Sequence, residues 1–346
     1  MAAVLVSGEK ASRSKRETRT KPRLGFLGVG WIGRNRLEAI AKTEIAEITA
    51  VADPVREVAQ KASEFAPDAA VLGTLEEILD SDVDGVVIAT PSALHAEQSI
   101  TALKAGIAVF CQKPLGRDAA ETRNVIRTAR DANRLLGVDL SYRFVTEVQA
   151  VRDLIRSGKL GQIYAADLVF HNAYGPDKAW YYKWENSGGG CVIDLGIHLV
   201  DMALWALDYP KVTDVSSRLF SQGKPVSAGD RIVEDYALAR LDLSNGACAQ
   251  IACSWKLPAG CDAIIGGTFY GTKGGAGFRN INGSFYQFEA ERFCGTRREP
   301  LARTEDPWGG RAAVHWARHL AKNNRFDPKI TSLIQVAETL DAIYGK

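Results

Sequence analysis

Several features that mark whole classes of protein are absent from this sequence. The six cysteines are scattered and form no Cys-x-x-Cys pair, so neither a disulfide framework nor a zinc site is expected. No uninterrupted apolar stretch approaches the roughly 18 residues of a membrane-spanning helix. No segment is repeated or of low complexity. These absences favour a cytoplasmic globular protein with reduced, mostly buried thiols.

Strong charge of either sign is also absent. The 346 residues carry a net charge of +2, and residues 1–23 alone hold seven basic and two acidic side chains, so the rest of the chain is slightly acidic. This distribution argues against a nucleic-acid-binding surface. The basic segment has no continuous apolar core, which excludes a secretion signal. We interpret residues 1–22 as a disordered basic tail; an arm that wraps a neighbouring subunit is the alternative.

The chain has the composition of a globular protein, with 46% apolar and 24% charged residues over a length typical of about two domains. Residues 23–141 alternate short apolar runs with helical patterns, which predicts an α/β Rossmann domain with a doubly wound parallel sheet. The predicted strands are Leu24–Val29, Glu47–Asp53, Gly85–Ala89, Ala108–Gln112 and Leu136–Leu140, and the predicted helices are Arg34–Thr43, Val55–Phe65, Leu75–Leu79, Leu94–Ala105 and Ala119–Ala132.

Residues 142–346 predict an α+β domain with an open, mostly antiparallel sheet, and the domain boundary is expected near residues 141–147. Alternating and β-branched runs are separated there by Gly, Asn and Asp turns. Helices are predicted at Glu147–Ser157, Gly190–Leu207 and 329–344, and the last of these could pack back on the first domain. The predicted strands are Ile163–His171, Val212–Phe220, Arg231–Leu243, Ala247–Lys256, Ala263–Gly271 and Ser284–Arg292.

A Gly-x-Gly-x-x-Gly turn, Gly28 to Gly33, follows the first strand and opens the first helix. Gly28 permits the tight turn, Gly30 lets backbone approach a pyrophosphate, and Gly33 lets helix and strand touch. The helix start at Trp31 and Ile32 would present N–H groups to phosphates. The alternative is a glycine-rich turn with no ligand.

Asp53 ends the second strand 20 residues after Gly33, where a ribose-binding acid is expected. Its carboxylate would repel a 2′-phosphate, so NAD is favoured over NADP, although Arg56 could soften this preference.

Two further segments follow predicted parallel strands, at the edge of the sheet where ligands bind. One is Thr90-Pro91-Ser92-Ala93-Leu94-His95, and the other is Gln112-Lys113-Pro114. A third segment, downstream, reads Gly-Gly-Gly at 188–190 and then Asp194-x-x-x-His198, whose two side chains share one face of a predicted helix.

With these motifs in this order, the sequence resembles the glucose–fructose oxidoreductase/inositol dehydrogenase (Gfo/Idh/MocA) family over residues 23–346. The resemblance implies a nucleotide-binding domain, an open-faced sheet used for dimer or tetramer contacts, and hydride transfer between a nicotinamide and a hydroxylated carbon of a sugar or polyol. It implies that Thr90, Pro91, His95, Gln112 and Lys113 border the nicotinamide. It also suggests a cis peptide bond before Pro114. One departure is Gln112, where the family usually has glutamate.

The residues suit that chemistry. Oxidising an alcohol needs a base for the hydroxyl proton, and His198 can titrate near neutrality in that role. Lys113 can stabilise the developing negative charge on oxygen, and Asp194 can orient the hydroxyl and tune Lys113. Asp201 could fix the tautomer of His198. Alternatively, Lys113 is a solvated charge at a strand end, and Asp194 with His198 is a surface hydrogen bond or half of a metal site that lacks a third ligand.

An aromatic segment follows no regular period, so a loop is predicted. It contains Trp180, Tyr181, Tyr182 and Trp184. Aromatic faces stack on the C–H faces of sugars, so the segment is either a substrate contact or a hydrophobic anchor. Further candidate substrate contacts are Tyr142, Arg143 and Asn172.

The hypothesis from sequence is an NAD-dependent sugar or polyol dehydrogenase that acts on a small molecule, without metal, nucleic acid or membrane. A homodimer or homotetramer through the C-terminal sheet is expected. Two alternatives stay open: a glycosidase or transhydrogenase-type relative that retains NAD, and a non-catalytic nucleotide-sensing regulator.

Overall fold

The first half of the chain forms a six-stranded parallel sheet, which confirms the predicted architecture. The computed structural model describes residues 20–227, 229–305 and 307–346, so most of the predicted basic tail lies outside the described residues. The strand order is β3-β2-β1-β4-β5-β6. Because the order reverses beside β1, a crevice opens at the carboxyl ends of β1 and β4. The strands are β1 (Arg23–Leu27), β2 (Glu47–Ala52), β3 (Ala70–Leu72), β4 (Gly85–Ile88), β5 (Ala108–Cys111) and β6 (Leu136–Val138).

Five helices flank this sheet, and each lies within three residues of its predicted bounds. The first begins at Trp31, directly after Gly30 of the glycine turn, and the fourth at Ser92, directly after Pro91. Thr74 caps the third, since its side chain and that of Glu77 each bond the other's backbone N–H. The three-residue β3 was not predicted. The helices are α1 (Trp31–Ala41), α2 (Arg56–Ser63), α3 (Leu75–Asp80), α4 (Ser92–Lys104) and α5 (Ala119–Asp131).

The second half forms a nine-stranded sheet of order β15-β14-β13-β12-β7-β11-β10-β8-β9. Only β7 and β11 pair in parallel, so the sheet is mostly antiparallel, as predicted. Three strands were missed, among them the glycine-rich β13, which lacks the apolar alternation that signals a strand. The strands are β7 (Ile163–Asn172), β8 (Val212–Ser221), β9 (Lys224–Val226), β10 (Tyr236–Leu243), β11 (Cys248–Ser254), β12 (Ala263–Gly271), β13 (Gly274–Asn280), β14 (Phe288–Cys294) and β15 (Arg297–Thr304).

Helices cover one face of this sheet and leave the other open. They are α6 (Thr146–Arg156), α7 (Trp184–Ser187) and α8 (Ile197–Ala206), and a π-helical turn at Val192–Gly196 leads into α8. By length and composition, Trp184–Ala206 could cross a membrane, contrary to the expectation from sequence. However, 89% of its most apolar window is buried inside the protein, which is typical of a core helix.

Two C-terminal helices return to the first sheet. Helix α9 (Arg311–Lys322) was not predicted, and its Trp316 ring lies 5.6 Å from that of Phe110 on β5. Helix α10 (Ser332–Ile343) starts three residues after the predicted 329, because Pro328–Thr331 forms a 3₁₀ turn. Asp341 on α10 accepts the Ala119 N–H of α5 at 2.9 Å. The division into domains at residues 141–147 stays a prediction.

Candidate active site

The glycine turn has the geometry of a dinucleotide cradle. Gly28 has a φ of 77°, and a Cβ there would lie 2.7 Å from the Ala89 carbonyl oxygen. A Cβ on Gly33 would lie 2.0 Å from the carbonyl oxygen of Gly28. Protein packing therefore requires the first and third glycines. Gly30 is exposed and its Cβ would meet nothing within 4 Å, so its glycine leaves room for a ligand.

The groups around this turn fit a nucleotide. Helix α1 begins at Trp31 with no side-chain cap and no acidic residue in its first turn, which leaves its N–H groups available to an anion. Asp53 is held beside the turn because its Oδ2 accepts the Val29 N–H at 3.0 Å and its Oδ1 accepts the Val55 N–H at 3.0 Å. Each carboxylate oxygen retains a lone pair for a ribose hydroxyl.

His95 ties the two strand-end loops together. Its Nδ1 lies 2.7 Å from the Pro114 carbonyl oxygen and its Nε2 lies 2.7 Å from that of Thr90. Burial lowers the pKa of His95, and a neutral ring has one N–H, which can donate to only one of these two carbonyl oxygens. The ring is 1% exposed. We expected this ring beside the nicotinamide, and in the structure it lies buried between the two loops that follow β4 and β5.

Gln112 belongs to a buried polar chain that sequence reasoning missed. Its Nε2 donates to Asp139 Oδ2 at 2.9 Å, and its Oε1 accepts the Lys113 N–H at 2.9 Å. Arg36 Nε also donates to Asp139 Oδ2, at 2.6 Å. The negative charge that the family's glutamate would carry therefore lies one strand away, on Asp139.

The two sheets meet at an ion pair between Lys113 and Asp194. Lys113 Nζ lies 2.6 Å from Asp194 Oδ1 and 2.7 Å from the Asp194 carbonyl oxygen. The indole Nε1 of Trp255, just after β11, donates to Asp194 Oδ2 at 3.0 Å. The Lys113 and Asp194 side chains are 16% and 15% exposed, so a small molecule can reach a partly dehydrated pair. The peptide bond before Pro114 is cis, as the resemblance suggests.

His198 lies beside this pair but is not poised near neutrality. Burial lowers its pKa well below 6.5, and the charges of Lys113 and Arg36 lower it further. The imidazole is therefore neutral at pH 7, which corrects the expectation from sequence. Its ring packs 4.8 Å from that of Tyr142.

Arg143 and Asp201, two of the weaker sequence assignments, bond each other in the structure. Arg143 donates through Nε to Asp201 Oδ2 at 2.8 Å, and its Nη2 also bonds Asp201 and the Tyr209 hydroxyl. Asp201 therefore pairs with Arg143 and does not orient His198. These bonds use Nε and Nη2 of Arg143, and its role as a substrate contact stays a prediction. Asn172, another of the candidate substrate contacts, lies at the end of β7, and its Oδ1 accepts the Tyr174 N–H at 2.8 Å.

The aromatic segment packs against Trp255, the residue that donates to Asp194. It forms a 3₁₀ turn at Ala179–Tyr182 rather than the predicted irregular loop. The rings of Trp180 and Tyr181 stack at 3.8 Å, and the edge of Tyr181 meets Trp255 at 6.3 Å. Burial, with a smaller effect of the Asp194 charge, raises the pKa of Tyr181. Trp255 thus links the segment to Asp194, a contact that no sequence pattern signals.

Metal chemistry has no supporting cluster in the part of the chain that the structure describes. No three His, Cys, Asp or Glu side chains come together there in a way that could hold an ion.

Family models support this arrangement. The oxidoreductase model with an NAD-binding Rossmann fold matches residues 23–140, and the GFO/IDH/MocA C-terminal domain model matches residues 148–276. The chain belongs to the GFO/IDH/MocA oxidoreductase family. The parallel sheet with its glycine turn is the NAD-binding Rossmann fold of this GFO/IDH/MocA protein.

Relatives of this GFO/IDH/MocA protein include D-glucoside 3-dehydrogenase of Escherichia coli K12, which is 30% identical over 66% of this chain and 69% of the relative. Among solved structures, levoglucosan dehydrogenase in complex with NADH and levoglucosan superposes with a TM-score of 0.78 at 21% identity, over 93% of this chain and 96% of the other. Aldose-aldose oxidoreductase from Caulobacter crescentus gives 0.80 at 21% identity, over 94% and 97%. At that identity, the two structures show the fold alone.

Proposed function

We propose that this protein is an NAD-dependent oxidoreductase for a secondary alcohol of a sugar, inositol or related polyol. The observation that carries the proposal is the Lys113–Asp194 pair at 2.6 Å, which joins the end of a parallel strand to the π-helical turn beside His198. The relative named D-glucoside 3-dehydrogenase supports the substrate class.

Lys113, His198 and Asp194 each have a separate role in the proposed reaction. Lys113 donates to the alcohol oxygen and stabilises the negative charge that develops on it. The neutral His198 accepts the hydroxyl proton, and in the reverse direction its imidazolium returns it. Asp194, held by Trp255, keeps Lys113 in place. NAD, when bound, supplies the acceptor for the hydride that leaves carbon.

The cofactor is proposed to lie at the carboxyl edge of the parallel sheet. Backbone N–H groups from Gly30 to Gly33, including those of Trp31 and Ile32, would hold the pyrophosphate, and Asp53 would hold the ribose hydroxyls. Thr90, Pro91 and Gln112 would border the nicotinamide half. A carboxylate at Asp53 favours NAD over NADP.

Aromatic rings are proposed to shape the substrate site. Trp180, Tyr181 and Tyr142 would offer aromatic rings and polar tips to the C–H faces and hydroxyls of a sugar. Asn172 at the end of β7 is a further proposed contact.

Self-association through the open face of the nine-stranded sheet is also proposed, as a homodimer or homotetramer. Tyr164, Ile264 and Tyr270 are exposed there, beside a depression of about 440 Å³ lined in part by Gly266 and Gly267. We further propose a cytoplasmic location and neither nucleic acid nor membrane as a partner.

The test is to follow reduced-nicotinamide absorbance with NAD or NADP and a panel of inositols, aldoses, sugar acids and amino-sugars. Turnover of one of these with NAD is expected. Asp53→Ala should weaken NAD binding and narrow its advantage over NADP. If no compound of the panel were turned over, with NAD binding shown separately, the result would contradict the proposed reaction.

A further inference from the structure

Buried Glu234 and Tyr344, the residue that follows α10, hold the turn at residues 190–193 that leads into α8. Glu234 Oε2 accepts the Gly190 N–H at 2.9 Å, and its Oε1 accepts the Val192 N–H at 2.8 Å. The Glu234 carbonyl oxygen accepts the Cys191 N–H at 3.0 Å. The Tyr344 hydroxyl accepts the Ile193 N–H at 3.2 Å and donates to Glu234 Oε1 at 2.9 Å.

Four successive N–H groups, 190 to 193, therefore end on Glu234 and Tyr344. The first N–H groups of a helix have no partner within it, so groups from elsewhere must satisfy them when they are buried. Glu234 is 0% exposed and Tyr344 is 5% exposed. Burial raises the pKa of Glu234 to about 7, while the hydrogen bonds from the turn and from Tyr344 lower it.

The glycines of the Gly-Gly-Gly motif provide a second, independent observation. A Cβ on Gly190 would lie 1.9 Å from the Glu234 carbonyl oxygen, and one on Gly189 would lie 2.0 Å from the Tyr344 hydroxyl oxygen. No other residue allows either approach without movement. The motif therefore makes room for these two residues, a role that its sequence alone does not show.

We propose that Glu234 and Tyr344 are positioning residues for the reaction. This inference rests on the proposed function. Asp194 follows the held turn directly, and its carboxylate holds Lys113 at 2.6 Å, so a shift of the turn moves Asp194 and, through it, the lysine that acts on the substrate. An error of about 1 Å in such positions costs on the order of a hundredfold in rate.

The test compares Tyr344→Phe with Tyr209→Phe. Each removes one tyrosine hydroxyl at an end of the same helical segment: Tyr344 bonds its start, and the Tyr209 hydroxyl bonds Arg143 beyond its other end. For Tyr344→Phe we expect kcat to fall about tenfold or more, with little change in the KM for NAD, and faster hydrogen exchange at amides 190–193. For Tyr209→Phe we expect kcat close to that of the wild type.

Gly189→Ala disturbs the same contact in a different way, because the added methyl group displaces the Tyr344 ring and leaves its hydroxyl on the ring. It should lower kcat in the same way. Equal loss of kcat in the Tyr344 and Tyr209 variants, or unchanged exchange at 190–193, would overturn the proposal. If the wild type turned over no substrate, the proposed function would fail by itself, and the exchange measurement would still decide whether the two residues hold the turn.

Discussion

Lys113 is the residue on which the proposed chemistry depends most. Its ammonium contacts both the side chain and the carbonyl of Asp194, and sits at the junction of the two sheets. Lys113→Ala removes the only group assigned to stabilise the alkoxide, so kcat should fall by about 10²–10³. NAD affinity, measured by fluorescence titration, should change little.

A suitable control is Lys42→Ala, which removes an exposed pair with Glu38 at 2.7 Å. It should leave kcat unchanged. Normal turnover by Lys113→Ala would show that the lysine was assigned wrongly.

The titration of His198 determines a pH dependence with a definite sign. Its folded pKa lies well below 6.5, so the imidazole stays neutral above that value and the rate of oxidation should be flat there. As pH falls through the folded pKa, His198 takes up a proton and the rate should drop. Because the unfolded chain protonates first, this group also lowers the free energy of unfolding as pH falls below 6.5.

Initial rates measured from about pH 5 to about pH 8, in buffers of matched ionic strength, would check this expectation. His198→Gln should lose most of the activity and the acidic fall in rate together. An activity that rises steeply through pH 6.5 in the wild type would contradict the assignment.

Substitutions at Gln112 and Asp139 test which of these two positions must carry the negative charge. Gln112→Glu sets two carboxylates against each other at a 2.9 Å contact, so the free energy of unfolding should drop by about 1–3 kcal/mol. In Gln112→Glu/Asp139→Asn, the amide and the carboxylate exchange places and one negative charge remains. Urea unfolding should show the double variant less destabilised than the sum of the two single variants. Strict additivity would argue against the coupling.

At the scale of elements, α9 joins the end of the chain to the Rossmann sheet. Trp316 is 4% exposed, and Cβ atoms added to Gly85 or Gly137 would lie 2.8 and 2.7 Å from its ring, so both strands make room for it. Its indole N–H has no hydrogen-bond partner among the described residues. The Trp316 side chain therefore acts through the packing of its ring and not through hydrogen bonding.

Two substitutions separate these contributions. Trp316→Ala should lower the free energy of unfolding by about 3–5 kcal/mol, because it leaves a cavity. Trp316→Phe keeps most of the ring and removes an unpartnered N–H, so it should cost clearly less. Denaturant unfolding of both variants checks the order, and a Phe variant as unstable as the Ala variant would contradict it.

At the scale of the whole molecule, the chain places its proposed catalytic groups where two sheets meet and leaves the far face of the larger sheet uncovered. Ile264 and Tyr270 are 39% and 38% exposed on that face. If copies associate there, Ile264→Glu/Tyr270→Glu buries charge in the interface and should shift the protein to the monomer, as measured by light scattering. Leu94→Glu, at a 41% exposed site on α4, serves as the control. An unchanged mass for both variants would contradict association through this face.

The resemblance to the family selected Lys113, Asp194 and His198, whereas the local sequence determined the Rossmann sheet and the glycine turn with Asp53. These signals lie within single strands, turns and helices, so short-range periodicity and steric rules suffice to recognise them. The same rules missed β13, because glycine has no side chain to alternate, and α9, whose position depends on a distant sheet.

Tertiary structure alone decided what each side chain does. In the tertiary structure, His95 lies between two loops, Arg143 pairs with Asp201, and Trp255 contacts Asp194, which is 61 residues away in the chain. The tertiary structure also set the low pKa of His198, since burial depends on everything packed around the ring. Contacts between residues far apart in the chain, and the loss of water that they cause, leave no periodic trace in the sequence.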